Sequence, residues 1–273
     1  MKIGSFHLST ARPAIMGIVN VTPDSFSDGG IYSNTAAAVE HAIRLVDEGA
    51  DIIDVGGEST RPGAEPVSAE DELMRVIPVI EGVKKHRDCA ISIDTSKSFV
   101  LHRAIEAGAD MLNDVSAGRF DNELFTVAAR TGIPVCIMHM KGTPRTMQEA
   151  PHYTDLMTEI TAFLSDAISR AISAGIHRRN IMIDPGIGFG KTVTDNVTIL
   201  RRLADLCDLN APIVIGTSRK SFIGKILDVD IENRLEGTLA TLAIAIDGGA
   251  SILRVHDVGP TKRFTDMYCA CRG

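Results

Sequence analysis

Short apolar runs rich in β-branched residues alternate along this chain with longer stretches in which apolar residues recur every three or four positions. The first pattern suits strands covered on both faces, the second amphipathic helices. Strands are predicted at Ile15–Asn20, Ile52–Val55, Ala90–Asp94, Met111–Asp114, Val135–His139, Ile181–Asp184, Ile213–Gly216 and Ile252–Val255. Between them, helices are predicted at Thr35–Glu48, Ala69–Lys85, Ser98–Ala107, Glu123–Arg130, Tyr153–Ala174 and Asp195–Leu206, then a broken stretch over Lys220–Asp247 and a last helix from about Pro260. Such a βα alternation over roughly 250 residues fits an α/β fold of the (β/α)8 (TIM) barrel type, one domain over residues 1–273, with a doubly wound open sheet as the alternative. Gly49, Gly108, Gly132 and Gly175 each close a helical stretch just before the next strand, where a left-handed terminating glycine is expected.

Polar residues interrupt the apolar pattern at particular places. Asn20, Asp54, Asp94, Asn113 with Asp114, His139, Asp184, Ser218 to Lys220 and Arg254 to Asp257 all fall at or just past the C-terminal ends of predicted strands. In a barrel those ends share one face, where barrel enzymes build their sites. One such residue alone reads equally well as a helix cap or a satisfied core group. Repetition at nearly every strand favours a site, because buried charges without partners are costly.

Composition narrows the classes. With 28 Lys and Arg against 35 Asp and Glu, a net charge of -7 argues against an electrostatic grip on nucleic acid or anionic membrane. No apolar stretch has the length of a membrane span, and the start lacks a signal-peptide core, so a cytoplasmic location is expected. The five cysteines, at 89, 136, 207, 269 and 271, form neither a C-x-x-C pair nor a zinc-spaced set. Asp184 to Thr192 is glycine-rich but is no P-loop, since Pro185 stands where a phosphate loop needs glycine. Gly216 to Ser221 leaves a strand and enters a helix with Ser218, Arg219, Lys220 and Ser221, a favourable anion setting. Arg254 and His256, two apart on the last strand, face the same way. They suit phosphate oxygens unless Arg254 is spent on an ion pair, for instance with Asp257.

The segment Gly17-Ile18-Val19-Asn20-Val21-Thr22-Pro23-Asp24-Ser25-Phe26-Ser27-Asp28-Gly29-Gly30 resembles the opening signature of the dihydropteroate synthases. The resemblance continues in order through Asp54 to Gly63, Ser92 to Thr95, Asn113-Asp114, Met138 to Met140, Asp184 to Lys191, Ser218 to Ser221 and Arg254 to Asp257. It implies a (β/α)8 barrel that joins 6-hydroxymethyl-7,8-dihydropterin pyrophosphate to p-aminobenzoate, releasing pyrophosphate. By resemblance, Asp94, Asn113, Asp184, Gly216 and Lys220 bind the pterin, whose edge offers donors to carboxylates and an acceptor to a lysine. Asn20, Arg254 and His256 take the pyrophosphate, with Mg2+ on Asn20 and water-linked to Asp28, and Asn20, Lys220, Arg254 and His256 carry the catalysis. Phe26, Thr60, Arg61, Pro62, Phe189, Lys220 and Ser221 surround p-aminobenzoate.

No protein nucleophile is implied: departure of pyrophosphate leaves a cation spread into the pterin ring, a dissociative substitution. A Schiff-base role for Lys220 is disfavoured by Arg219 and by pterin-edge partners. The resemblance also implies a homodimer through the last helices, although the chain after Pro260 is short and an abbreviated final helix is expected. The competing functions are a pterin- or folate-binding methyl-carrier barrel and an inactive pterin-binding paralogue. The first has no use for Arg254 and His256 beside Ser218 to Ser221, and the second should show damage in Thr22 to Gly30 or Ser59 to Gly63, which look intact.

Overall fold

The structure, a computed structural model, describes residues 1–22, 30–60 and 63–272, and for 30–34 the backbone alone. A two-stranded hairpin, β1 (Lys2–Ile3) and β2 (Phe6–His7), precedes the main body. Eight parallel strands follow: β3 (Ala14–Asn20), β4 (Ile52–Gly56), β5 (Ala90–Asp94), β6 (Met111–Asp114), β7 (Val135–Met138), β8 (Ile181–Asp184), β9 (Ile213–Ile215) and β10 (Ala250–Val255). They pair in chain order and close through β10 against β3, so the barrel reading holds and the open sheet falls.

Helices cover the outside: α1 (Gly30–Asp47), α2 (Ala69–His86), α3 (Ser98–Glu106), α4 (Leu124–Thr131), α5 (Leu156–Ser173), α6 (Val193–Arg201), α7 (Ser221–Leu227), α8 (Leu235–Asp247) and α9 (Val258–Arg272). Local chemistry sets several starts. The Ser68 hydroxyl accepts from the Asp71 amide ahead of α2, and Thr192 and Asp195 form a reciprocal capping box on α6. The four expected terminating glycines all have positive φ. The last helix is not abbreviated: it runs 15 residues. No described helix is long and apolar enough to cross a membrane.

Period two divides each strand between two cores. Ile53, Val55, Ile91, Ile93, Leu112, Ile137, Ile183, Ile215 and Leu253 point outward and pack under the helices. Inward, Met16, Ile52, Ala90, Met111, Cys136, Met182, Val214 and Ile252 fill the lower barrel. Ile3 of the hairpin joins that cluster and is fully buried, so β1 and β2 plug the end where the strands begin. The turn uses Gly4, at φ 54°, because a Cβ there would lie 2.5 Å from the Asp110 carboxyl carbon.

Candidate functional site

Two residues farther along the same inward columns the chemistry changes. Ile52 is followed by Asp54, Met111 by Asn113, Met182 by Asp184, Val214 by Gly216, and Ile252 by Arg254. The apolar interior thus ends in a polar floor, where Asn113, Asp184, Gly216 and Arg254 line a pocket with Thr60, Asp94, Phe189 and Lys220. A wider hollow lies at the opposite mouth, against Met1, Lys2, Asp110 and Arg179, and contains none of these strand-end groups. The strand-end pocket is therefore the candidate site.

Arg254 organises the floor. Its Nε donates to Asp54 at 2.7 Å and its Nη2 to Asp94 at 2.7 Å. Asp54 is fully buried and also accepts from Asn113 Nδ2 at 3.2 Å; among the described residues nothing donates to its Oδ1. Burial pulls the Arg254 pKa down, but Asp54 and Asp94 more than reverse that and raise it. Asp94 is pushed up to about 7, chiefly by burial, with Arg254 opposing and Asp54 reinforcing the rise. Asp184 accepts from the Gly186 amide at 2.6 Å, and burial raises its pKa as well. Burial thus acts in the same direction on both carboxyls.

Lys220 caps α7, and its Nζ lies 4.2 Å from the centroid of the Phe189 ring. Burial first, then Arg254, lowers its pKa to about 8. Ser221 is the exposed first residue of α7, beside the rim. His256 Nδ1 meets Ser218 Oγ at 3.0 Å, and the same oxygen accepts the His256 amide at 3.1 Å. Burial and then Arg254 lower the His256 pKa to about 3, so the imidazole is neutral at physiological pH.

Of the expected site residues, Asp94, Asn113, Asp184, Gly216, Lys220, Arg254, Thr60 and Phe189 converge on the pocket. Asn20 ends β3, paired in register with Gly56 of β4. Phe26, Asp28, Arg61 and Pro62 lie outside the described residues. Three strand-end residues do other work. Asp114 accepts from the Ser116 and Gly118 amides and closes its own loop. Asp257 pairs with Arg219, not with Arg254. His139 packs edge-on against Phe163 and meets Lys191 Nζ at 2.9 Å.

Sequence reasoning did not give Lys191 or Asp54 their places. Lys191 is buried, donates to the Phe189 carbonyl at 3.0 Å, and has its pKa lowered to about 7 by burial. When Lys191 is protonated its ammonium donates and His139 Nδ1 accepts. The available signal was Lys191 closing a glycine run beside a strand-end histidine. Asp54 had been placed at a strand end, but only the closed barrel puts it against Arg254.

A barrel whose strand ends join buried carboxyls, an amide and two cations around one pocket has the layout of a barrel enzyme. The family described as pterin binding enzyme matches residues 16–256. The dihydropteroate synthase of Escherichia coli K12 is 48% identical over 254 residues, 93% of this chain and 90% of that protein. In structure, the chain resembles Yersinia pestis dihydropteroate synthase in its complex with a sulfonamide drug, with TM-score 0.94, 44% identity, and coverage of 100% of this chain and 98% of that one. The Xanthomonas albilineans dihydropteroate synthase with 4-aminobenzoic acid matches at TM-score 0.91 and 46% identity, over 96% and 94% of the two chains. The chain belongs to the pterin-binding enzymes and, among them, to the dihydropteroate synthases, which are transferases.

Proposed function

We propose that this protein joins 6-hydroxymethyl-7,8-dihydropterin pyrophosphate to p-aminobenzoate, giving 7,8-dihydropteroate and pyrophosphate by dissociative substitution. The observation that carries the reading is the convergence of Asp94, Asn113, Asp184, Lys220 and Arg254 on one pocket. The pterin edge presents N–H donors to Asp184 and Asp94 and a carbonyl to Lys220, while Asn113, its Nδ2 engaged with Asp54, offers its oxygen. A ligand that donates to Asp184 and Asp94 returns to them the hydrogen bonds that burial removed.

In the reaction, the bond from the pterin methylene carbon to the bridging oxygen breaks, and its electron pair leaves with pyrophosphate. The amine nitrogen of p-aminobenzoate then bonds to the methylene carbon and gives up a proton. Arg254, above its bridge to Asp54 and Asp94, and the neutral His256 ring would stabilise charge on the leaving group. Thr60, Phe189, Lys220 and Ser221 lie where the second substrate would approach, with Phe26, Arg61 and Pro62 as further expected members.

No cluster of three His, Cys, Asp or Glu able to hold a metal occurs among the described residues. Mg2+ accepts oxygen ligands and keeps waters, and the Asn20 amide oxygen would be one such ligand, with Asp28, outside the described residues, the expected water-linked partner. When bound, Mg2+ would neutralise charge on pyrophosphate. A homodimer is supported by the exposed apolar side chains of Ile226, Leu227, Ile244 and Met267 on α7, α8 and α9.

The test is pyrophosphate release from purified protein, with each substrate and Mg2+ omitted in turn. Release that needs both substrates and the metal supports the reading. Pterin binding without release favours the inactive paralogue, and release that yields no 7,8-dihydropteroate when p-aminobenzoate is present overturns the assigned chemistry.

A further inference from the structure

The loop between β4 and α2 is fastened to its neighbours before Thr60 reaches the pocket. Arg75 Nη1 on α2 donates to the Gly57 carbonyl at 2.8 Å. A Cβ on Gly57 would lie 2.8 Å from Val76 Cγ1 and 3.0 Å from Glu72 Cγ, so the loop lies flush on the helix. The next residue, Glu58, pairs through its carboxylate with Lys97 Nζ. Lys97 sits at the N-cap of α3, and the same ammonium reaches Glu72 Oε2 in the first turn of α2 at 2.5 Å. One cation therefore joins three segments, 39 and 25 residues apart in sequence.

The three members differ in burial. Glu72 is fully buried, and among the described residues nothing donates to its Oε1. A carboxylate so placed needs a cation, which accounts for Lys97. It does not account for Glu58. That side chain remains 27% exposed, needs no counter-charge to stay folded, and stands two residues ahead of Thr60. Its pairing adds nothing to the buried core and one restraint to the loop.

We infer that Glu58 and Lys97 are positioning residues that fix where the β4–α2 loop leaves the barrel, and so how Thr60 is presented to the second substrate. The inference rests on the reading of this face as the site that joins a pterin pyrophosphate to p-aminobenzoate. Without the tie the loop samples more conformations, and binding must order them. The pterin floor is spared, because Asp94, Asn113 and Asp184 stand on strands rather than on this loop.

The experiment compares wild type, Glu58→Ala, Lys97→Met and the double variant in the full-length protein. Measured for each are KM for p-aminobenzoate, Kd for the pterin pyrophosphate by titration, and the thermal midpoint. Glu58→Ala is expected to raise KM for p-aminobenzoate about fivefold, with pterin Kd within about twofold and an unchanged midpoint. Lys97→Met should raise KM similarly and lower the midpoint by stranding Glu72, and Glu58→Ala should add nothing on that background.

Glu58→Asp, which keeps the charge, should restore part of the loss. If Lys97→Met does not fold, Glu58→Ala and Glu58→Asp decide alone. Unchanged KM in Glu58→Ala overturns the inference, as does an equal loss of both ligands accompanied by a lower midpoint. Wild-type protein that consumes neither substrate overturns the functional reading instead, and this inference with it.

Discussion

Replacing Arg254 by methionine removes the cation between Asp54 and Asp94 while keeping most of the apolar stem. Stranding one side of a buried ion pair costs about 3–5 kcal/mol. The Arg254 side chain is 21% exposed and that of Asp94 13%, so water takes up part of the loss. About 2–3 kcal/mol at neutral pH is the expected cost.

The sign of the pH dependence follows from Asp94. With Arg254 present its carboxyl sits near 7; without the cation it rises further. The unfolded chain releases this proton near its ordinary value of about 4. The folded protein binds more protons in between, so stability falls as pH rises. Below about pH 7 Asp94 is protonated in both proteins and the difference is smallest. Above that, the difference grows by about 1.4 kcal/mol per pH unit until the variant's own Asp94 ionises.

Urea unfolding of both proteins at about pH 6 and about pH 9 measures the effect. Adding Asp54→Asn to the variant should restore part of the loss by removing one of the two facing charges. A variant as stable as wild type, or a loss identical at both pH values, would refute the charge-balance account.

Asp184→Asn should weaken pterin binding at least tenfold by titration, because the amide offers a donor where the ligand needs an acceptor. Arg254→Ala should lower kcat more than it raises pterin Kd; equal effects would remove its assignment to the leaving group. Lys191 is lowered to about 7 by burial, whereas the unfolded side chain keeps its proton to about 10. Wild-type stability should therefore rise between those values, and Lys191→Met should flatten that rise, most of all between about pH 7 and 8 before Lys220 contributes, in urea titrations at several pH values. Chelation by EDTA should abolish turnover, with Mg2+ restoring it and the far-ultraviolet spectrum unchanged; turnover that survives chelation argues against the metal.

How much of this could be seen in the sequence depends on the range over which each feature is encoded. The eight barrel strands were legible because each carries a compact apolar run, and their polar ends because Asp54, Asn113, Asp184 and Arg254 break those runs two residues past an inward apolar one. The β1 and β2 hairpin was not, since strands of two residues hold no period. Arg254 was legible as a cation at the site but not its partners: Asp54 and Asp94 lie 200 and 160 residues away, and only barrel closure brings them together. The local candidate, Asp257, is taken by Arg219. His139 follows the end of β7 and turns to Lys191, a contact across 52 residues. The meeting of Glu58, Glu72 and Lys97 was not legible, because nothing local in the sequence reports that α2, α3 and a loop come together at one point.

The inward columns of the barrel also limit how a chain of this kind can change in length. Removing Ile53, the one residue between Ile52 and Asp54, would turn Asp54 toward the helices and bring the outward Val55 into the site, so one deletion exchanges a buried charge between two cores. The same holds for Met111 with Asn113, Met182 with Asp184 and Ile252 with Arg254. Insertions and deletions are therefore best tolerated in the connecting loops, whereas between any two inward residues of a strand the spacing is as binding as the residues themselves.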